Sequence, residues 1–355
     1  MGSEGRRPVA VAQADELGAS AALEAWLAEA GIGGPYDLRP LAGGNSNETM
    51  LLRAGDERLV MRRPPRATID SSAHNVAREE RILAALSPTG VPVPRPRGLC
   101  VEEGVPEAPF LLMAEVEGVS LGDELPAEWA DDPGAAVGTV GREAAIALAD
   151  LHTLDWRGLG LGDFGRPDEF LARQVPRWRK QLDRSRHREL PDFEPVAEWL
   201  EENRPPDVAP GILHGDFHVD NCLFAVEPRP RLAAIIDWEM STIGDPLLDV
   251  GLFLGFWGDE RAQPMGMPWV QAISRVKGAP CRNELAALYE ERSGRSLARL
   301  PYYMALAFWK LAAIVEGAHA HYVAGRTDAP YAAALEHDVP ALLAEARWFT
   351  RQEER

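Results

Sequence analysis

The chain has little cysteine and no long apolar run. Its 355 residues include only three cysteines, Cys100, Cys222 and Cys281, which stand far apart and form no C-x-x-C pair. This pattern excludes a disulfide scaffold and is typical of a reducing compartment. The most apolar segments, around residues 247–257 and 304–315, are too short or too interrupted to span a bilayer. With no export signal in the first residues, we expect a cytoplasmic protein with no membrane partner.

Positive charge is also scarce. The chain has 37 Lys and Arg residues against 55 Asp and Glu residues, which gives a net charge of −18. Nucleic acids and anionic membranes both present phosphate, and nonspecific binding to either needs a basic surface. The charge balance therefore predicts that neither is a partner. Only Lys180, Lys277 and Lys310 are lysines, so the cationic Lys or Arg positions before residue 180 are all arginine.

The first part of the chain, residues 1–117, has the pattern of a small β-rich lobe. A helix at about residues 20–30 precedes short alternating segments around a glycine-containing turn at residues 42–47. Ser71 or Ser72 then begins the one long helix of this part, and further short strands follow it.

The remainder, residues 118–355, is predicted to form a larger and mainly helical lobe. Helical periodicity runs through Gly141–Leu154 and Tyr302–Tyr322, and strands are expected between Ile212 and Asp237. The two patterns together predict an α+β fold with two lobes. The sequence contains no internal repeat that would indicate a solenoid.

The predicted strands after Ile212 surround the segment His-Gly-Asp-Phe-His-Val-Asp-Asn at residues 214–221. Phosphoryl transfer from ATP needs a carboxylate that orients or deprotonates the acceptor hydroxyl, and separate oxygen ligands for magnesium. Asp216 and Asn221 have the D-x-x-x-x-N spacing of a kinase catalytic loop, and Asp237 follows at the end of a later strand. We predict that Asp216 is the base and that Asn221 and Asp237 are magnesium ligands.

Two other interpretations of this segment stay open at this point. Asp216 and Asn221 also suit turns, with His214 as a buried histidine that has its hydrogen bonds satisfied. Alternatively, His214, Asp216, His218 and Asp220 alternate along the chain and could share one face as the divalent-metal cluster of a hydrolase.

The same segment, followed by Ile-Asp-Trp-Glu at 236–239 and Gly-Asp-Pro-Leu-Leu-Asp at 244–249, resembles the aminoglycoside phosphotransferase and choline kinase superfamily. The resemblance covers roughly residues 41–323. Within it, the patterns at 72–79 and 232–249 are most similar to the phosphotransferase domain that is fused to acyl-CoA dehydrogenases in some proteins.

This resemblance implies a bilobal protein-kinase-like fold and an ATP-dependent small-molecule kinase. It also implies that Asp245 and Asp249 are structural carboxylates that hold the catalytic loop by hydrogen bonds. Glu115 and Val116, which follow a buried strand, are implied as the backbone contacts of adenine; packing at a sheet edge is the alternative.

A turn in the first lobe supplies candidate nucleotide contacts. Gly43, Gly44, Asn45, Ser46 and Asn47 offer backbone amides and small side chains of the kind that cover phosphates in kinase-like lobes. Without the rest of the chain, the same residues would suit an ordinary hairpin loop.

Kinase-like lobes usually carry a lysine on the strand after this turn. Because this chain has no lysine before Lys180, an arginine must take that role. Along residues 59–63, alternation leaves Val60 and Arg62 on the face opposite Leu59 and Met61. We predict that Val60 contacts adenine and that Arg62 binds phosphates as a planar fork in place of the usual lysine. The alternative is a solvated surface arginine.

An acidic residue of the long helix is predicted to brace this arginine. Glu79 lies near the centre of the helix's apolar stripe, and a buried acid requires a cationic partner. Arg62 is the expected partner, unless the edge of the stripe is hydrated and Glu79 is merely solvated.

The acceptor is the least determined part of the prediction. The resemblance favours a hydroxyacyl-CoA acceptor, whereas the acidic balance would suit a cationic aminoglycoside or another amino alcohol, and a sugar is a further alternative. The missing lysine also leaves open a non-catalytic nucleotide-binding scaffold. Aromatic and histidine residues could line the acceptor pocket or pack in the core: Trp257, Trp269, Tyr302, Tyr303, Trp309, His319 and His321. The oligomeric state is not predicted.

Overall fold

The computed structural model describes residues 19–41, 47–64, 69–122, 124–258 and 266–353, and the side chains of these except 69–75 and 353. The chain divides into two compact units. The first contains the described residues up to Leu121 together with Asn221–Ser241, and the second contains Gly122–Asp220 and the described residues from Thr242 onward. The predicted boundary between residues 117 and 118 stays a prediction, but Asn221–Ser241, which was expected in the second lobe, groups with the first unit.

The first unit contains a five-stranded antiparallel sheet in the order β1-β2-β3-β5-β4. The strands are β1 (Tyr36–Pro40), β2 (Glu48–Ala54), β3 (Glu57–Arg63), β4 (Pro96–Cys100) and β5 (Phe110–Ala114). β2 and β3 form a tight hairpin in which Gly55 has a φ of 60°, a left-handed conformation that glycine adopts without steric cost.

One face of this sheet packs against the first helix, α1 (Ala21–Glu29). Ser20 caps the helix, since its hydroxyl accepts a hydrogen bond from the amide of Leu23 at 3.1 Å, as expected for an N-cap serine. Leu23 and Leu27 are completely buried in a cluster that includes Leu59 and Met61 of β3. The alternation of β3 therefore directs Leu59 and Met61 to this core.

The long helix α2 (Ile69–Leu86) buries Val76, Ile82 and Leu83. It begins two or three residues before the predicted start at Ser71 or Ser72, so these serines lie inside the first turn and not at the cap. The predicted helix is confirmed, and only its first residue is corrected.

A smaller three-stranded sheet completes the first unit, in the order β6-β8-β9. Its strands are β6 (Val119–Ser120), β8 (Cys222–Ala225) and β9 (Arg231–Ile235). The amide of Ile236 donates to the carbonyl of Asn221 at 2.9 Å, so the base of the β8–β9 hairpin brings Asn221 beside the residue that precedes Asp237.

The second unit is mainly helical, as predicted. Its helices are α3 (Pro133–Thr153), α4 (Gln174–Ser185), α5 (Phe193–Glu202), α6 (Leu247–Phe256), α7 (Arg282–Ser293), α8 (Leu300–Val323) and α9 (Pro330–Glu353). A short strand pair, β7 (Gly211–Leu213) with β10 (Thr242–Gly244), accompanies them. α3 begins eight residues before the predicted Gly141, because the Asp132 side chain caps it and Pro133 occupies its first turn.

Helix α8 lies in the core of the second unit. The ring of Trp309 stacks on Phe193 with centroids 4.6 Å apart, and its indole N–H donates to the Phe193 carbonyl. Among the helices of the described residues, none combines the length and the apolar character needed to cross a membrane.

Candidate functional site

Arg62 on β3 is surrounded by carboxylates of the first unit. Its guanidinium donates one hydrogen bond to Glu79 Oε1 and another to Asp237 Oδ1, and it lies 3.5 Å from Glu239 Oε2. The strand alternation that sends Met61 to the core leaves Arg62 on the opposite face, as predicted. The neighbouring Arg63 pairs with Glu48 instead. The structure thus contains the expected Arg62–Glu79 contact.

Glu79 is a buried acidic side chain, with 3% of its surface exposed. Burial is the main cause that raises the pKa of Glu79 to about 7, and the negative charges of Asp237 and Glu239 raise it further. Arg62 lowers this pKa but offsets these effects only in part. For Arg62, burial disfavours the charged form, but these three carboxylates outweigh it and raise its pKa. Three carboxylates, those of Glu79, Asp237 and Glu239, therefore lie around the single guanidinium of Arg62.

Asp237 stands two residues after the end of β9 in a left-handed backbone conformation, with a φ of 67°. A non-glycine residue at positive φ costs free energy, and such residues concentrate at functional sites. The following turn is fixed by the Trp238 indole N–H, which donates to the Ile235 carbonyl at 2.9 Å. From α2, Arg78 donates to the Ser241 carbonyl at 3.0 Å and ties the helix to this turn.

The donor set around Asp237 fits a magnesium ion. Asp237 and Glu239 carry partly exposed carboxylates, with Asn221 at the base of the same hairpin as a partly buried amide. Oxygen ligands of this kind are those that Mg²⁺ prefers. The surplus of carboxylates over Arg62 adds a charge that a divalent cation would offset.

The nucleotide contacts predicted in the glycine-containing turn fall largely outside the described residues, since Gly43, Gly44, Asn45 and Ser46 are not described. Asn47 is described, and its side-chain amide donates to Glu239 Oε2 at 2.9 Å. The end of this turn therefore contacts a carboxylate that also lies beside Arg62.

The predicted adenine contacts lie on β3 and just after β5. Val60 is partly buried and pairs with Met113 of β5. The amide of Glu115 donates to the carbonyl of Arg58 at 3.1 Å, and its carboxylate pairs with the Arg58 side chain. The amide of Glu115 is therefore already paired with a backbone carbonyl. The predicted adenine contacts of Glu115 and Val116 stay a prediction.

In the second unit, Asp249 holds the loop that contains Asp216. Its carboxylate accepts hydrogen bonds from the backbone amides of His214, at 2.6 Å, and Gly215, at 2.9 Å. Gly215 has a φ of 89°, which an L-residue rarely adopts, so the glycine permits the turn before Asp216. These two hydrogen bonds agree with the structural role that the resemblance implies for Asp249.

Asp245 has a different set of contacts from the one implied by the resemblance. Its carboxylate accepts from the Leu247 amide at the start of α6 and from the Tyr303 hydroxyl at 2.7 Å. Burial raises the pKa of Asp245 to about 6. These contacts fix the start of α6, and Asp249 one turn further holds the loop.

Asp216 keeps 39% of its side-chain surface exposed and faces His218, whose Nε2 lies 3.7 Å from Asp216 Oδ2. On the other side of the ring, His218 Nδ1 lies 3.3 Å from Asp220 Oδ2. Burial alone would raise the pKa of Asp216, but the protonated ring of His218 outweighs it and lowers that pKa. The two carboxylates in turn raise the pKa of His218 to about 10 against the effect of burial.

Two residues that the sequence analysis did not identify complete this loop. The side-chain oxygen of Gln271 accepts from the Val219 amide at 3.0 Å, and the backbone amide of Gln271 donates to the carboxylate of Asp220 at 3.2 Å. Lys310 of α8 is buried, and its amine donates to the Gly215 carbonyl at 2.9 Å. In the sequence, Lys310 could have been noticed as a single lysine within the apolar run of α8. No sequence pattern indicated Gln271.

The hydrolase interpretation of the loop is not supported. Among the described residues, His214, Asp216, His218 and Asp220 do not assemble as a group of metal ligands. His214 instead accepts from the amide of Asp216 at 3.3 Å, which suits a buried supporting histidine. The aromatic candidates for the acceptor pocket are mostly core residues, since four of them are buried: Trp257, Tyr302, Tyr303 and Trp309.

Comparison with known proteins places these features in one family. The profile described as the phosphotransferase enzyme family matches residues 37–288, well over half of the chain. The chain belongs to the phosphotransferase enzyme family. This membership agrees with the resemblance found in the motifs and does not support the alternative of a non-catalytic scaffold.

The chain is similar in sequence to a curated relative and to a protein of known structure. It is 33% identical over 301 residues to acyl-CoA dehydrogenase family member 11 of Gallus gallus, which covers 83% of this chain and 38% of that protein. The chain thus spans little more than a third of the length of that curated relative. It is 30% identical to a protein from Ralstonia eutropha assigned to the aminoglycoside phosphotransferases, with a TM-score of 0.77 over 93% of this chain and 98% of the other.

The likeness in structure extends to more distant phosphotransferases. A thermostable mutant of aminoglycoside phosphotransferase APH(4)-Ia, solved with ADP and hygromycin B, matches with a TM-score of 0.60 at 17% identity, over 93% of this chain and 98% of the other. At that identity the match concerns the fold alone. The predicted α+β, protein-kinase-like fold of this phosphotransferase is confirmed.

Proposed function

We propose that this phosphotransferase uses ATP and Mg²⁺ to phosphorylate a hydroxyl group of a small molecule. The hydroxyl oxygen would form a bond to the γ-phosphorus as the bond from that phosphorus to the β,γ-bridging oxygen breaks, giving a phosphoester, ADP and a proton. The observation that carries the proposal is Arg62, which Glu79 and Asp237 hold in place within one unit.

The nucleotide side of the reaction is assigned to residues of the first unit. Arg62 would bind phosphate oxygens, with Glu79 fixing its orientation, and Asn221 and Asp237 would hold magnesium. When bound, magnesium would neutralise charge on the phosphate oxygens. ADP in the APH(4)-Ia structure supports an adenine nucleotide as the donor.

The remaining nucleotide contacts are proposed from sequence and from their place in the sheet. They are Gly43, Gly44, Asn45, Ser46 and Asn47 for the phosphates, and Val60, Glu115 and Val116 for adenine. Val60 and Val116 would supply the apolar and hinge contacts, and the contact of Asn47 with Glu239 supports a place for the turn near Arg62.

Asp216 would act on the acceptor hydroxyl. Its lowered pKa keeps the carboxylate ionised, so it can accept a hydrogen bond from the hydroxyl and aim the oxygen at the phosphorus. A strongly acidic carboxyl group is a weak base, but phosphoryl transfer through a loose transition state places little demand on early deprotonation. We therefore assign Asp216 mainly to orientation, with the proton transferred late.

For the acceptor, we propose a hydroxyacyl-CoA. The support is the likeness to acyl-CoA dehydrogenase family member 11, which is 33% identical over 301 residues. The likeness to the Ralstonia eutropha structure favours a second candidate, an aminoglycoside or another amino alcohol or sugar. We also propose a cytoplasmic location, because the three cysteines are free, as is usual in a reducing compartment.

A panel of acceptors tests this function. Purified protein with MgATP is offered hydroxyacyl-CoA compounds, aminoglycosides, choline and sugars, and ADP formation is measured together with the mass of the phosphoester. The Asp216→Asn variant is the matched control for contaminating ATPase activity. Acceptor-dependent ADP formation that needs Asp216 supports the proposal, and turnover with aminoglycosides alone would replace the acceptor class.

A further inference from the structure

Two histidines and a glutamate, none of them among the residues assigned to phosphoryl transfer, form a cluster in the second unit. His187 follows α4, while Glu316 and His319 stand three residues apart on one face of α8. One ligand atom from each lies within 4.8 Å of those of the other two. Glu316 is fully buried and His319 is 5% exposed, whereas His187 is exposed.

The distances within this cluster suit ligands that share one small cation. His187 Nε2 and His319 Nδ1 lie 3.0 Å apart and would be the two imidazole ligands. The other ring nitrogen of His187, Nδ1, lies 3.4 Å from Glu316 Oε1 and would not bind the same ion. Two imidazole nitrogens on a tetrahedral zinc ion, each about 2.0–2.1 Å from it, are themselves about 3.3 Å apart. A shift of a few tenths of an ångström at the two rings would reach that separation.

Arg188 provides the outer support that a metal-binding carboxylate usually has. Its guanidinium donates to both oxygens of Glu316, at 2.9 and 2.7 Å, and also to the backbone carbonyls of Leu335 and Glu336. A carboxylate has about four lone-pair positions, so Glu316 can accept from Arg188 and still bind a cation. Such second interactions orient the ligand.

We propose that His187, Glu316 and His319 form a binding site for a divalent transition-metal ion, with Zn²⁺ as the preferred ion. Imidazole suits zinc and its neighbours in the first transition series, whereas magnesium requires oxygen ligands. The positive charge of Arg188 further disfavours an ion that binds through charge alone. Three protein ligands leave the fourth position of the ion to water.

An ion at this position would join the segment after α4 to α8. Its effect would be on stability, because it binds the folded chain and fixes two parts of the second unit to each other. The ordinary alternative is a hydrogen bond between the two imidazoles, which would need no ion.

The test measures how much zinc the 355-residue chain retains. The protein is treated with a chelator, the chelator is removed, and Zn²⁺ is added together with excess Mg²⁺. Unbound ions are then removed by gel filtration. The variants are His187→Asn and His319→Asn, both of which keep the Arg188–Glu316 pair. The matched control is His321→Asn, an exposed histidine on the same helix. Glu316→Gln is avoided because it would remove the buried carboxylate that pairs with Arg188.

We expect one equivalent of zinc in the parent and in the His321 variant, with a higher melting temperature than the metal-free protein, and loss of both effects in the other two variants. Co²⁺ in place of Zn²⁺ should give the visible absorption bands of a four-coordinate ion only in the parent and in the His321→Asn control. No retained zinc in the parent, or equal retention in all four proteins, would overturn the proposal. No nucleotide or acceptor is present, so the result is independent of the proposed kinase activity.

Discussion

The guanidinium of Arg62 donates to the carboxylate of Glu79, which lies 17 residues further along the chain on α2. The contact joins a strand to a helix, and it fixes the direction of a planar cation that also contacts Asp237. Lysine has one ammonium group on a flexible stem, so it could not contact both carboxylates as a fork does. The arginine thus serves two contacts at once.

We expect Arg62→Lys to lower kcat/KM for ATP by roughly 10-fold or more, which corresponds to loss of one charge-assisted hydrogen bond of about 1.5 kcal/mol. The variant keeps the charge and should fold, unlike Arg62→Ala, which would leave Glu79 buried without a partner. Steady-state kinetics at saturating acceptor measures the effect. Arg63→Lys is the matched control, because Arg63 is the next residue and pairs with the exposed Glu48. Equal effects of the two variants would remove Arg62 from the phosphate site.

The Arg62–Glu79 contact could be predicted because the direction of each side chain follows from the short repeat of its own strand or helix. A strand repeats every two residues and a helix every 3.6, so burial of Leu59 and Met61 determines the side on which Arg62 lies, and the apolar stripe of α2 includes Glu79. Neither argument needs distant parts of the chain. The same periods did not give the first residues of α2 and α3, since helix starts depend on caps and on local competition between turns.

A second prediction concerns Asp249, whose carboxylate accepts two backbone hydrogen bonds in the loop before Asp216. Asparagine keeps one acceptor oxygen, so one buried amide of the loop loses its partner. We expect Asp249→Asn to lower the free energy of unfolding by about 1.5–3 kcal/mol. Urea denaturation measures it. Asp150→Asn is the control, because Asp150 pairs with Arg292 at the surface and should change stability by less than about 1 kcal/mol. A loss no greater than that of the control would contradict the role of Asp249.

A third prediction concerns the pH dependence that His218 confers. Its pKa is about 10 in the folded chain, between Asp216 and Asp220, against 6.5 as the ordinary value. The folded state therefore binds more protons between these values, so this contribution to stability is complete below pH 6.5 and is lost as the pH rises toward 10. Urea midpoints across this window should fall with pH in the parent and change less in His218→Gln.

Kinetics separates a positioning role for His218 from a purely structural one. Loss of the imidazolium removes the positive charge that lowers the pKa of Asp216. The acidic limb of the kcat profile of His218→Gln should therefore move to higher pH, and a variant with a positive charge, His218→Arg, should restore it. An unchanged acidic limb in His218→Gln would show that the histidine does not control the ionisation of Asp216.

The contacts that hold the loop around Asp216 could not be predicted from the sequence. Gln271 contacts Asp220 from 51 residues away, and Lys310 contacts Gly215 from 95 residues away. Neither contact follows a helical or strand period, and both depend on how the second unit packs. The sequence did indicate candidates for the reaction, because Asp216 and Asn221 occur in one short segment with a spacing typical of kinases. Their roles stay predictions.

The most direct test of the proposed phosphoryl transfer is turnover by Asp216→Asn with MgATP and the acceptor found in the panel. Asparagine keeps the size of the side chain but removes the charge that orients the hydroxyl. We expect kcat to fall by roughly 10²- to 10⁴-fold, with the affinity for MgATP nearly unchanged in a direct binding measurement. Undiminished turnover in a correctly folded Asp216→Asn variant would contradict the assignment of Asp216 and the mechanism built on it.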